Sequence, residues 1–166
     1  MIIAGVLLAA ATVTAPIPPE NIGQPALPPT SGATVLAQRL VEAIAKDDPA
    51  SVTDLFFPVE PFLVLKKIPR ASDYHTKLVG WFVADIHREH NRIKQAATLL
   101  FRDWKPGHCV WKPIGSEYNQ VAYWSCSKSR ILADAGRQAV TIEVKTLINW
   151  GTDWFVTHLG PIPKEP

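Results

Sequence analysis

The amino-acid sequence predicts an α+β protein in which helices come first and a mostly antiparallel sheet follows. Up to about residue 94, apolar residues recur every three to four positions, which is the period of an amphipathic helix. After Gln95 the period falls to two, and β-branched and aromatic residues become frequent, as in half-buried strands. Of the 166 residues, 47% are hydrophobic and six are tryptophan, enough for one core. One domain spanning residues 33–160 fits this pattern.

The helical half divides into three helices, with a short strand before the third. The first begins near Ala33 and ends at Asp47. Asp48 and Pro49 then supply an N-cap and a first-turn proline for a short second helix that ends before Pro58. The apolar run 62–65 predicts a strand. The third helix is expected over 73–94 after an N-cap at Ser72, and the arc predicted to cover the sheet comprises Val79, Phe82, Val83, Ile86 and Ile93.

Five strands are predicted in the second half, over 98–104, 108–114, 120–128, 139–150 and 153–159. In the fourth, apolar residues alternate with polar ones, so one face is buried and the other solvated. Gly151 is the expected turn into the last strand.

The two ends of the chain differ from the domain in composition. Residues 1–15 are an apolar run ending in small residues, typical of a secretory signal, although no Lys or Arg precedes it; an upstream start, an atypical signal and a flexible apolar tail are the alternatives. The run is too short to span a bilayer. Residues 16–32 and 161–166 are proline-rich and predict a linker and a tail, with a ligand for a proline-recognising groove as the alternative for the linker. A periplasmic or secreted protein without stable membrane insertion is expected.

Charge argues against a nucleic-acid partner. The formal net charge is only +2, and Lys and Arg are spread along the chain, so no strong field for nucleic acid or an anionic membrane is expected. The densest basic cluster is Lys66, Lys67 and Arg70, which a solvated strand end explains.

Cys109 and Cys126 are the only cysteines, and their predicted strands flank a hairpin whose tip lies near 115–119. Pairing them across the hairpin also places Trp111 opposite Trp124, a favourable aromatic pair. Two features thus agree on one register. In an exporting compartment they predict a disulfide, with two buried free thiols as the alternative.

Two histidines on the third helix, His87 and His90, lie three residues apart near Asp85, but they differ from the His-Glu-x-x-His pattern and do not converge on the helical wheel. No metal site is predicted, and His90 is a pocket candidate because it lies on the apolar arc. Trp81 lies on the polar side of the helix. Its side chain has three alternative roles: stacking on Arg88, contact with a partner or a second copy in a homodimer, or packing in a second layer.

A fold-level resemblance rests on residues 43–49 leading to 55–57, and on the closing 149–159. Over most of 34–160 the chain resembles the superfamily named for nuclear transport factor 2 (NTF2-like, also SnoaL-like or cystatin-like), and 55–63 is similar to uncharacterised bacterial exported members. The resemblance implies a cone in which three N-terminal helices pack on a curved sheet around a pocket. Members include isomerases, dehydratases, cyclases, epoxide hydrolases and binding modules, so fold alone does not choose a function.

Two functions therefore stay open. The leading one is an exported module that binds a small apolar ligand in the pocket, or a protein partner on an exposed sheet face. Its rival is a small lyase, isomerase or hydrolase with His90 and an acidic strand residue as acid and base. The pocket candidates are His90, Glu143 and Tyr123, with Ser125 as a further hydroxyl; His158 and Glu143 are another conceivable pair, though a surface ion pair is the simpler reading for Glu143. No nucleophile elbow, phosphate loop or dinucleotide fingerprint is present, and no cofactor is expected.

Overall fold

The computed structural model describes residues 15–163 and is α+β, as predicted. Its α-helices are α1 (Gly32–Lys46), α2 (Val59–Leu65) and α3 (Ala71–Arg92). An open antiparallel sheet of five strands follows. The strands are β1 (Leu99–Lys105), β2 (His108–Lys112), β3 (Tyr123–Ala135), β4 (Gln138–Trp150) and β5 (Asp153–His158).

The sheet is built around β3, which is 13 residues long. Strands β1 and β2 both pair with one edge of β3, β4 pairs with the other edge, and β5 pairs with β4. The second half of β1 and all of β2 pair with β3 in the same register. Together they form a single edge strand that is broken at Pro106 and Gly107. Lys128, which this register places opposite Gly107, has a positive φ of 57°. The half of β3 next to β2 carries the site described below.

The hairpin register predicted from the cysteines is confirmed. Cys109 pairs with Cys126 and Trp111 with Trp124, whose ring centroids are 5.6 Å apart. The two cysteines form a disulfide across the strands. This bond is consistent with export to an oxidising compartment.

The strand predicted over 62–65 is wrong, because these residues belong to α2. Pro58 is the N-cap of that helix and Pro61 lies in its first turn, where a proline removes no helical hydrogen bond. Phe62 and Leu65 are buried on one side of the helix, whereas Leu63 is exposed. The two prolines begin a helix here rather than end one.

Helix α3 begins at Ala71, one residue before the predicted N-cap, and its buried side is rotated from the predicted arc. Phe82 and Ile86 are buried as expected, but Val79 and Val83 are only half-buried. His75, Leu78 and Asp85 take their place. The helix contacts α1, α2 and β5, so its buried side is set by other helices as well as by the sheet.

The N-terminal proline-rich segment is attached to the domain. Asn21 is buried, and its side-chain amide donates to the carbonyl of Ala122 at 3.0 Å while its Oδ1 accepts from the N–H of Gly151 at 2.8 Å. Farther along, Trp154 Nε1 donates to the carbonyl of Pro29 at 3.0 Å. The segment predicted as a free linker is therefore docked, because side chains and turn amides supply the hydrogen bonds that its prolines cannot.

The predicted signal segment lies outside the described residues except for Ala15, and so do residues 164–166 of the predicted tail. Between residues 15 and 163, no helix has both the length and the apolar character needed to cross a membrane.

Candidate ligand-binding cavity

A cavity of about 680 Å³ opens between the helices and one face of the sheet. Its helical side is formed by α2, the start of α3 and the segment joining them. Its sheet side is formed by β2, β3, β4 and β5. The volume falls within the range of about 300–1,000 Å³ that is usual for small-molecule sites.

The helical wall of the cavity is almost entirely apolar. Phe62 and Leu65 of α2 and Leu78 of α3 are buried side chains of the core that also line the cavity. Ile68 and Tyr74 continue this wall towards the opening. Apart from Lys66 at its edge, a ligand would meet hydrocarbon and aromatic surface on this side, which favours binding by burial of its own apolar area.

The sheet wall carries a row of hydroxyl groups. Ser125 and Ser127 of β3 face the cavity beside Thr146 of β4 and Thr157 of β5. They occur together because residues two apart on a strand share a face, and Ser127 is paired directly with Thr146. The cavity therefore offers an apolar wall on one side and hydrogen-bonding groups on the other.

A cluster of ionisable side chains lies at one edge of the cavity. Lys66 Nζ donates to Asn119 Oδ1 at 2.7 Å and to the carbonyl of Glu117 at 3.1 Å. Lys112 Nζ donates to Glu117 Oε1 at 3.0 Å, and the Tyr123 hydroxyl donates to Glu117 Oε2 at 3.2 Å. One carboxylate thus holds a lysine and a phenol in place, while a second lysine lies 4.0 Å from it.

Burial shifts the acid–base properties of this cluster. It lowers the pKa of Lys66, although the charge of Glu117 opposes that effect. It also raises the pKa of Tyr123 strongly, and the negative charge of Glu117 adds to this, so the phenol stays protonated at physiological pH. Burial alone would raise the pKa of Glu117, but the hydrogen bond and charge of Lys112 outweigh it and leave that pKa below its usual value.

The loop that supplies Glu117 has a strained backbone. Glu117 and Tyr118 are consecutive non-glycine residues with positive φ, 51° and 61°. Such residues cost free energy and persist only where the surroundings fix them. Here the loop is fixed by backbone hydrogen bonds from Lys67 to Tyr118 and from Gln120 to Leu65, at 2.9 and 2.8 Å.

His158 reaches the cavity because β5 contains a bulge. Thr146 pairs with His158 and Leu147 with Val156, so Thr157 is an extra residue. The Nε2 atom of His158 is buried and has no hydrogen-bond partner within residues 15–163. Burial lowers the pKa of His158, against the opposing charge of Asp85, so the ring is neutral at pH 7. A neutral imidazole with an unused nitrogen can accept or donate one hydrogen bond to a ligand.

Of the predicted pocket residues, Tyr123 and Ser125 line the cavity and the other two do not. His90 Nδ1 lies 2.7 Å from the carbonyl of Ile44, so the ring packs on the end of α1. The reason is its place along the helix, because α3 lines the cavity only at Tyr74 and Leu78, whereas position 90 is in the last turn of α3, beside α1. Glu143 is exposed and lines a separate shallow groove with Arg88 and Arg92. The pairing of Glu143 with His158 is therefore absent.

The remaining candidates on α3 have structural partners. His87 Nδ1 lies 2.6 Å from Asp47 Oδ1, so His87 and His90 both hold the C-terminal end of α1. Among residues 15–163 there is no cluster of three or more side chains able to hold a metal ion. Trp81 packs partly on the core, and Lys77 rather than Arg88 lies over its ring, 5.1 Å from the centroid.

Sequence reasoning missed Lys66, Glu117 and His158 as members of one site. In the sequence Lys66 belongs to a basic cluster that a solvated strand end explains, and Glu117 lies within the hairpin tip expected near 115–119. The one local signal is at Glu117, where the residue order Gly115-Ser116-Glu117-Tyr118-Asn119 predicts a turn but not the contact of that turn with α2.

No protein-family model, curated protein or solved structure matches the chain.

Proposed function

We propose that this protein is an exported binding module that holds a small, mostly apolar ligand in the cavity. The observation that carries the proposal is the two-sided lining of this 680 Å³ space, apolar on the helical wall and hydrogen-bonding on the sheet wall. A ligand with one apolar and one polar face fits this arrangement. Its polar groups would meet the hydroxyls of Ser125 and Thr146, with His158 beside Thr146 and Lys66 also lining the cavity.

The same features support placing the chain in the NTF2-like superfamily. A helix layer on an antiparallel sheet and a cavity between the layers are features that the resemblance implies. Export, to the periplasm or out of the cell, is supported by the disulfide and by the apolar character of residues 1–15.

Binding can be tested with anilinonaphthalene sulfonate, a fluorescent probe with an apolar body and one anionic group. Thr146→Leu removes a hydroxyl of the sheet wall and should weaken probe binding at least about tenfold, because a hydrogen bond to a charged group such as the sulfonate is worth about 1.5–3 kcal/mol. Thr141→Leu is the matched control, since Thr141 lies on the same strand with its side chain exposed. Equal binding by both variants and the unsubstituted protein would exclude this cavity as the site.

A second function, acid–base catalysis in the same cavity, is favoured by His158. A neutral, half-buried imidazole whose buried Nε2 has no hydrogen-bond partner within residues 15–163 is suited to act as a general base, and Tyr123 or Lys66 could supply a proton. This replaces the histidine expected from the sequence, His90. The reaction class would be that of a small hydrolase, lyase or isomerase.

Hydrolysis of p-nitrophenyl acetate tests the hydrolase form of this second function. Turnover should fall in acid as the imidazole is protonated, and His158→Gln should abolish it. His87→Gln is the control for reaction at an exposed histidine. If both variants lose the same small fraction of activity, the catalytic role is refuted while the binding function is untouched.

A further inference from the structure

The exposed apolar side chains of the described residues are concentrated at one end of the molecule. Residues 15–163 contain eleven large apolar or aromatic side chains that are exposed. Four of them line the cavity opening, namely Tyr74, Val110, Tyr118 and Ile162. Three more, Ile17, Ile22 and Ile114, line a second groove on the other side of the β2–β3 hairpin.

The loop at the tip of this hairpin, residues 113–119, separates the two sets and projects the most exposed of them. Ile114 is 68% and Tyr118 74% exposed. The loop is nevertheless held in place by backbone hydrogen bonds, including one from Lys67 to Tyr118 at 2.9 Å. A rigid apolar projection loses little conformational entropy on binding to a surface.

The same end carries an excess of positive charge. Lys66, Lys67 and Arg70 follow α2 directly beside the loop, and Lys112 enters it from β2. The acidic side chains among them are Glu117, which bonds Lys112, and Asp73, which bonds Arg70 at 2.6 Å. Around the loop and the end of α2, four cations against two anions leave two positive charges in excess, and with Glu20, between Ile17 and Ile22 at the second groove, the excess over the whole end is one. The basic cluster found in the sequence therefore borders the cavity opening.

We infer that this end of the molecule docks on an anionic lipid bilayer. Exposed aliphatic and tyrosine side chains flanked by lysines are the combination that favours the boundary between lipid headgroups and acyl chains. The charge excess selects an anionic surface, because each nearby Lys or Arg is attracted to it. The cavity opening would then face the bilayer, so an apolar ligand could pass between the two without crossing water. The docking itself does not depend on the proposed cavity function.

Vesicle flotation tests this inference on the protein recovered from an exporting host. Binding should be at least about tenfold stronger to vesicles containing about 30% phosphatidylglycerol than to pure phosphatidylcholine. It should fall when the ionic strength is raised to about 1 M, where the screening length is about 3 Å.

Matched variants then locate the surface. The double variant Ile114→Ser with Tyr118→Asn should lose binding, whereas Leu100→Ser should not, although Leu100 is 71% exposed on β1. Asparagine at position 118 also suits the positive φ there. Likewise Lys67→Glu should weaken binding and Lys94→Glu should not. Each variant carries the same N-terminal residues, so any contribution of these residues to vesicle binding cancels when variants and controls are compared.

Two results would overturn the inference. One is a failure of selectivity, seen either as equal binding to anionic and neutral vesicles or as an equal loss of vesicle binding in the tip variants and their controls. The other is a concentration-dependent dimer that disappears in the tip variant without any vesicle binding, which would assign the surface to a second copy of the chain. Vesicle binding that persists in Thr146→Leu, alongside lost probe binding, would separate docking from the cavity function.

Discussion

Replacing two glycines by alanine should change the stability of this protein in opposite directions. At Gly107, where the edge strand breaks, a Cβ would lie 1.9 Å from the carbonyl oxygen of Ser127 and 2.8 Å from the carbonyl carbon of Lys128. At Gly80, within α3, a Cβ would meet nothing within 4 Å. Gly107 does not have a positive φ, so the effect there comes from contact between strands rather than from backbone conformation.

The magnitude at Gly107 follows from the displacement needed to relieve the contact. Ordinary van der Waals contact begins at 3.4 Å, so the start of β2 and the middle of β3 must separate by about 1.5 Å. Both clashing groups are backbone, so no side-chain rotation can relieve them, and overpacking of this kind costs about 1–3 kcal/mol. The shift would also stretch the 3.0 Å hydrogen bond from Gly107 N to Ser129 Oγ, worth about 1 kcal/mol. We expect a loss of about 3 kcal/mol.

At Gly80 the change in stability has the opposite sign, because alanine restricts the conformations of the unfolded chain and suits a helix interior. The expected gain is about 0.5–1 kcal/mol. Urea unfolding followed by tryptophan fluorescence measures both changes, and the unfolding midpoints of the variants should lie on opposite sides of the unsubstituted protein. If Gly107→Ala were as stable as the unsubstituted protein, the close approach of β2 to β3 would be refuted, and with it the shape assigned to the sheet wall of the cavity.

Three further outcomes are expected. Replacing both Cys109 and Cys126 by alanine should lower the free energy of unfolding by roughly 3 kcal/mol, from the 17-residue loop in the chain-entropy model, and a reductant should then have no further effect on the urea midpoint. Asn21→Ala should cost about 1–3 kcal/mol by leaving the N–H of Gly151 buried without a partner; an unchanged melting temperature would show that the proline-rich segment is not docked. Because His158 is neutral in the folded protein, the unfolded chain binds the extra proton between the lowered folded pKa and the ordinary value of about 6.5, so stability should fall as the pH drops through that window. His158→Gln should reduce this slope in pH-dependent urea titrations, and an identical slope would contradict the burial of the ring.

Local patterns predicted the parts of the fold that depend on periodicity and pairing. The register of the disulfide hairpin followed from Cys109 and Trp111, since antiparallel partners in one hairpin share a constant sum of residue numbers. Prolines were harder to interpret, because Pro58 and Pro61 can end one helix or begin the next, and only the burial of Phe62 on α2 decides between them.

The cavity could be predicted only in part, because its ionisable residues come from separate parts of the chain. Tyr123 and Ser125 are predicted as hydroxyl groups carried by a strand, and strand alternation places both on the face towards the cavity. Lys66 and Asn119 are 53 residues apart and are joined by one isolated bridge, which no local pattern encodes. His90 was misplaced because α3 contacts α1 as well as the sheet, and a helical wheel does not say which neighbour an apolar arc will meet.

The bond between Gly160 and Asp85 determines where a reporter group can be attached. The N–H of Gly160 donates to Asp85 Oδ2 at 2.7 Å, and two residues later Ile162 lies at the cavity opening. A fluorophore or affinity tag joined on the C-terminal side of Ile162 would therefore begin at the opening and shield it from ligand and lipid alike. The turn between β3 and β4 at Arg137 is the better attachment point, because it lies about nine residues along β3 from the nearest cavity residue, roughly 30 Å at the rise of an extended strand.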